Sequence, residues 1–161
     1  MRIPRPAARV AVLAPDGAVF LFRYDNEEVG VHWALPGGGL EPGETPREGA
    51  LRELREETGW YDVEPGPLLC TWEHDFTRAG VPVRQHEHIY LAHSPRRDPA
   101  DDAAAARAAD TILTWRWWTP RTWPPPTPSR SGHPGSRPCQ GRRRPSGGTA
   151  TAVPALPRRT A

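Results

Sequence analysis

Apolar residues fall in short blocks between Arg9 and Trp118, each closed off by glycine, proline or a polar run. In "RVAVLAPDGAVFLFRY", Val10 and Val12 alternate with their neighbours, Val19 to Phe22 run apolar, and Pro-Asp-Gly lies between. That pattern predicts two strands around a tight turn, a hairpin-like opening. "HWALPGG" predicts a short strand ending at the glycines, and residues 45–58 have helical character. "LLCTWEHDF" and "VRQHEHIYLAH" are β-favouring and flank a turn containing Gly80, so they are expected to pair antiparallel. "DPADDAAAARAAD" suits a short alanine-rich helix or a loop, and "TILTWRWWT" a further strand. Strands arranged around an early helix predict an α+β chain, an α/β/α layered sandwich with a mixed sheet.

The early helix has a defined start. Thr45 can accept from a free backbone N–H, Pro46 has the φ needed at the first helical position, and Glu48 can close a capping box. Gly59 supplies the stop. At ~100° per residue, Leu51, Leu54 and Thr58 fall on one side, and Glu53, Glu56 and Glu57 share an arc on the other. Like charges at i, i+4 oppose a helix by ~0.2–0.5 kcal/mol per pair, so this arc requires either plain solvation or a compensating partner. Arg52 and Arg55 offer one kind of compensation, and a hard divalent cation bound through carboxylate oxygens offers another. On charge pattern alone a solvated face is the favoured reading. Gly37, Gly38 and Gly39 shift the balance, because they let backbone approach closely and present carbonyls or N–H groups to a ligand.

Composition changes the picture at the far end. All 19 acids lie at or before Asp110, so residues 1–120 carry 13 arginines against 19 acids, net −6, while 121–161 carry 8 arginines and no acid, net +8. The last stretch also has nine prolines and almost no large apolar residues beyond Trp123, a composition that cannot build a core. The expected division is a folded domain over 1–120 and a disordered Pro/Arg-rich tail over 121–161. "GRRRP" without aromatics or a recognisable module is weak support for nucleic-acid binding, which is not expected. No apolar run is long enough to span a membrane and the N-terminus has no secretory pattern, so a cytoplasmic location is expected. Cys70 and Cys139 are far apart and lack metal-type spacing, so neither a disulfide framework nor a zinc site is indicated.

Gly38, five residues, Glu44, seven residues, Arg52-Glu53-Leu54, one residue, Glu56-Glu57, one residue, Gly59-Trp60 resembles the signature box of Nudix hydrolases at every specified position. The flanking strand order is similar to that family through about residue 119. The resemblance implies an α/β/α sandwich that hydrolyses a nucleoside diphosphate linked to another group, such as a nucleoside triphosphate or nucleotide sugar, with Mg²⁺ or Mn²⁺. It implies metal-binding carboxylates at Glu53, Glu56 and Glu57, with the Gly37 carbonyl as an additional ligand. Arg52 would orient the glutamates, and Glu44, Gly38, Leu54 and Gly59 would maintain the loop–helix–loop shape, with Trp60 in the final large-apolar slot. The implied partner is a small nucleotide-type molecule. No oligomeric state is specified.

Related enzymes place a base or a further ligand on a later segment, so Glu53 and Glu87 are both candidates for that role, with Glu73 and Asp75 behind them. On a strand Glu87 points opposite to His86 and His88, and surface or packing roles fit the histidines better than a His-x-His metal pair. Trp115 and Trp117 share one strand face, Arg116 and Trp118 the other. Core or pocket wall suits these tryptophans better than base stacking, and the same choice applies to Trp33 and Tyr24.

After Pro120 the chain departs from the family pattern, in which an acidic residue and Leu open a last helix. If Pro120 to Trp123 are encoded CCG AGG ACC TGG, the shifted frame reads Glu-Asp-Leu, so the tail is hypothesised to be a frameshifted translation that replaces the final helix. Two rivals to hydrolysis follow: a nucleotide-binding domain without catalysis, and an inactive frameshifted product.

Overall fold

The computed structural model describes residues 1–124 and 140–141. Strand β1 (Ile3–Leu13) is followed by β2 (Val19–Asn26), β3 (Gly30–Ala34), β4 (Gly37–Gly39), helix α1 (Pro46–Thr58), β5 (Leu68–Arg78) and β6 (Val81–His93). A 3-10 turn (Asp101–Ala103), α2 (Ala104–Ala109), β7 (Ile112–Trp118) and the two-residue β8 (Gln140–Gly141) complete the order. The strands form a mixed sheet with two short helices, the expected α+β class. The expectations of a disordered tail and of a missing final helix fall almost wholly on residues outside those described. Among the described residues no helix is long and apolar enough to cross a membrane.

β1 organises the sheet. It runs parallel to β6 from Ile3↔Val83 to Leu13↔His93, and Ala7 to Arg9 on its other edge pair with Gly37 to Gly39 of β4. With both edges taken, β1 meets β2 only at Leu13↔Val19. The turn expected around Pro15-Asp16-Gly17 forms, closed by the Ala14 N–H donating to the Ala18 carbonyl at 2.9 Å, but the antiparallel pairing it opens is short, and the rest of β2 pairs with β3 and β7. The β5/β6 pair is the expected antiparallel hairpin. Its turn residues Ala79 and Gly80 have φ of 48° and 76°, the two left-handed residues of a turn whose twist matches the strands. The expectation about the cysteines involves Cys139, which lies outside the described residues.

Helix α1 forms as its cap sequence dictates. Thr45 accepts from the Glu48 N–H, the Glu48 carboxylate accepts from the Thr45 N–H, and the helix ends at Gly59 in the left-handed conformation. Its apolar side, with Ala50 and Leu54 fully buried, packs on Val10, Val12, Phe20, Phe22, Trp60 and Val63. Phe20, Trp60 and Trp117 make mutual ring contacts, with centroids 4.9–6.0 Å apart. Trp115 and Trp117 thus pack against the core, while Trp118 lies on the other face of β7 against Trp33.

Leu54 connects this core to the helix that carries the acidic residues. Leu54→Ala should lower unfolding free energy by ~2–5 kcal/mol, the range for emptying a fully buried leucine site. Urea denaturation followed by tryptophan fluorescence reads the change as a lowered midpoint at constant slope.

Candidate active site

Glu53 and Glu57, one turn apart on α1, face β4 rather than solvent. Glu53 is 9% exposed and Glu57 1% exposed, whereas Glu56 stands half in solvent. The solvated-face alternative therefore suits only Glu56.

Glu57 is met by donors from other elements, Glu53 by a neighbour on its own helix. Glu57 accepts from the Gly37 N–H at 2.9 Å and from the Tyr24 hydroxyl at 3.0 Å. Glu53 accepts from Arg52 at 3.0 Å. The Arg52 guanidinium also forks onto both oxygens of Glu44 at 2.8 and 2.9 Å, reaches the Gly39 carbonyl at 3.0 Å and Glu56 at 3.3 Å. One arginine thus ties the loop, the strand and two helix acids into one arrangement. Glycine is required at two points of the loop. Gly37 has a φ of 137° and a Cβ there would collide with the backbone of Ala8 and Arg9, while a Cβ on Gly38 would sit 2.5 Å from a Glu53 oxygen.

Glu87 belongs to β6 rather than to α1. It is 1% exposed on β6 and bonds Arg9 and Gln85, while its Oε2 has no hydrogen-bond partner. Arg9 in turn donates to the carbonyls of Leu35 at 2.6 Å and Gly37 at 3.3 Å, so the Gly37 carbonyl proposed as a ligand already has a donor beside it. The partly exposed His86 bonds Glu73 at 2.9 Å, away from the helix acids. Asp75 pairs with Arg84. Leu54 and Trp60 are core residues.

The acid that the sequence did not single out is Asp110. Its carboxylate, with those of Glu53 and Glu57, offers ligand atoms all within 4.8 Å of one another, a grouping that could hold a metal ion. Asp110 follows α2, which is docked on α1 by the buried Arg107 donating to the carbonyls of Glu57 at 3.1 Å and Ala100 at 3.0 Å. Next to it, Thr111 and Asp25 exchange bonds, N–H to carbonyl at 3.0 Å and hydroxyl to carbonyl at 2.7 Å, fixing the loop to the end of β2. The one sequence signal was an arginine among alanines, which marks an anchored helix without saying where.

Glu53 and Asp110 border an open cleft, with Glu57 buried behind them. A hollow of about 320 Å³ is lined by Arg5, Gly38, Gly39, Arg52, Glu53, Arg78 and Asp110. A neighbouring one of about 130 Å³, with Tyr24, His32, His74 and Phe76 in its wall, shares Arg78 and Asp110. Burial first, and then the nearby Glu53, push the Glu57 carboxyl from its ordinary 4.5 up to about 8. Burial likewise raises Glu53. At Glu87 burial pushes upward too, but Arg9 and His74 outweigh it and hold the carboxyl below its ordinary value.

A NUDIX domain model matches residues 3–136. A protein named RNA pyrophosphohydrolase from Erythrobacter litoralis (strain HTCC2594) is 31% identical over 133 residues, covering 74% of this chain and 79% of its own. A protein named 8-oxo-dGTP diphosphatase from Proteus vulgaris is 52% identical over 51 residues, 32% of this chain and 45% of its own. Among solved structures, the MutT protein from Methanosarcina mazei Go1 superposes with a TM-score of 0.60 at 18% identity, covering 74% of this chain and 80% of that one. A MutT NUDIX hydrolase from Burkholderia pseudomallei reaches a TM-score of 0.56 at 23% identity, over 76% and 88%. At these identities the structural likeness is one of fold.

A carboxyl held near 8 in the fold and near 4.5 when unfolded binds its proton more tightly in the folded state. The stability it contributes is complete below about 4.5 and is lost as pH rises through about 8. The melting temperature of the metal-free protein should therefore fall between pH 6 and pH 9, and Glu57→Gln should flatten that fall. Differential scanning calorimetry of both chains in chelator-treated buffer checks it.

Proposed function

The chain belongs to the NUDIX domain family, a hydrolase family, and we propose that it is a metal-dependent pyrophosphohydrolase cleaving a nucleoside diphosphate linked to another group. The observation that carries this reading is the grouping of Glu53, Glu57 and Asp110 beside an arginine-lined cleft. Carboxylate oxygens on rigid elements suit Mg²⁺ or Mn²⁺, which commonly share their coordination with substrate phosphates. The unpartnered Glu87 Oε2 and the half-exposed Glu56 are further candidate ligands.

A divalent cation bound there would polarise phosphoryl oxygens and lower the pKa of water. The chain's own residues supply the positioning. Arg52 fixes Glu53 relative to Gly39, and Tyr24 with the Gly37 N–H orients Glu57. Glu53, raised by burial, is the candidate to take a proton from the attacking water. Glu57 must release its own proton before it can act as an anionic ligand, so metal binding should tighten as pH rises toward about 8.

The relatives' names give the first compounds to assay: triphosphorylated RNA and 8-oxo-dGTP, alongside nucleoside triphosphates, dinucleoside polyphosphates, ADP-ribose and nucleotide sugars. Each would be tested with Mg²⁺ and with Mn²⁺. Binding without product release across the set would favour the non-catalytic alternative.

Glu57→Gln should lower kcat by more than about 100-fold, beyond the ~10–100-fold typical of residues that only support a metal site, and weaken Mn²⁺ binding measured by electron paramagnetic resonance. Glu48→Gln, which alters only the helix cap, should leave kcat within about twofold, since glutamine also closes a capping box. Equal losses in two folded variants would refute the assignment of roles along α1.

A further inference from the structure

The acids at the mouth of the cleft are matched by positive charge that has no acidic partner. Arg5 on β1 and Arg78 at the end of β5 both line the larger hollow, with Gly38 and Gly39 between them and the α1 acids. Arg5 donates to Gln85, a neutral acceptor, and stacks over Gly39 so closely that a Cβ there would meet its guanidinium. Neither arginine forms an ion pair among the described residues, although Arg2, Arg9, Arg52, Arg84, Arg96 and Arg97 all do. Burial first, and then repulsion from Arg78 and Arg9, pull the Arg5 pKa down to about 10, and Glu53 and Glu87 only partly oppose this. Crowded guanidinium groups of this kind are costly unless an anion neutralises them.

The hairpin that presents Arg78 is fixed in place. The Gly80 N–H donates to Glu27 at 2.9 Å, and the Asn26 amide donates to the Thr77 carbonyl at 3.2 Å, so the β5/β6 turn is held against the end of β2. The Arg78 side chain is exposed, with no hydrogen-bond partner among the described residues, and lines both hollows.

We propose that Arg5 and Arg78 form a recognition site for a free terminal phosphate, so that the cleft prefers substrates ending in an unesterified phosphate over diphosphates capped by a sugar. The inference rests on the reading above that this cleft takes a phosphorylated substrate. A terminal phosphate presents three oxygens and close to two negative charges, which two guanidinium forks can engage in charge-assisted bonds. Esterification takes one of the three free oxygens into a bridge, removes about one charge and places a neutral, bulky group against the arginines. Arg52 is excluded from this role because Glu44, Glu53 and Glu56 already occupy its donors.

ADP and ADP-ribose differ in whether the β-phosphate is free or esterified, and their binding in metal-free buffer requires no turnover. Calorimetric titration of the full chain should show ADP bound roughly tenfold or more tightly than ADP-ribose, and the difference should shrink as salt is raised. Arg78→Gln should bring the two affinities to within about twofold with its melting temperature unchanged, because the side chain replaced is exposed and unpaired. Arg5→Gln should do the same, and Arg84→Gln, whose arginine pairs with Asp75, should retain the wild-type preference. Wild-type protein that binds both ligands alike or neither, or a preference that survives in Arg78→Gln, would overturn the proposal. Absence of hydrolysis across the substrate panel would refute the catalytic reading and leave this measurement standing.

Discussion

Two carboxylates buried one turn apart on a single helix are the constraint around which the rest of this structure is arranged. Removing a carboxylate from water costs several kcal/mol unless hydrogen bonds and opposite charge replace the lost solvation, and two neighbours add mutual repulsion. The chain meets that cost from three separate elements: Arg52 on α1 itself, the Gly37 N–H of β4, and Tyr24 of β2. Arg9 of β1 adds its field at longer range. The sheet around β1 and the electrostatics of α1 are therefore one problem, because moving β4 would leave Glu57 without its backbone donor.

Balance is reached without neutralising the site. Glu57 keeps a raised pKa despite three stabilising neighbours, since burial and Glu53 outweigh them. The Arg9–Glu87 pair behaves in the opposite way: burial pushes each partner toward its neutral form, yet each holds the other charged. One buried acid is thus already satisfied by a fixed counter-charge, while the pair on α1 is left short of positive charge. This difference is the physical reason to place a cation at α1. Held by Glu87, Arg9 also braces the carbonyls of Leu35 and Gly37.

Several local features were legible because they depend on neighbours in sequence. The capping box at Thr45 and Glu48, the stop at Gly59 and the β5/β6 hairpin each need only a few consecutive residues to agree on backbone geometry. For β1 and β2 only the turn was legible. Pro15-Asp16-Gly17 does turn the chain and the strands pair at Leu13↔Val19, but how far they pair depends on what else competes for their edges, and β4 and β6 take most of β1.

The amino-acid sequence by itself determined the helix, its caps, the arc of glutamates and the glycines that let backbone approach them, because the i, i+3, i+4 spacing fixes which side chains share a face. It could not say whether that arc faces water or protein. Burial of Glu53 and Glu57 beside an exposed Glu56 is decided by where β4 lies, and β4 is held there by β1. Only the tertiary structure brought Asp110 to the same point from more than fifty residues away, through Arg107 docking α2 on the end of α1 and the Asp25–Thr111 bonds fixing the loop. It likewise left Arg5 and Arg78 facing a common cleft without acidic partners. Covalent neighbours set periodicity and caps, whereas the meeting of distant charges depends on the summed packing of the sheet, which no short stretch of sequence contains.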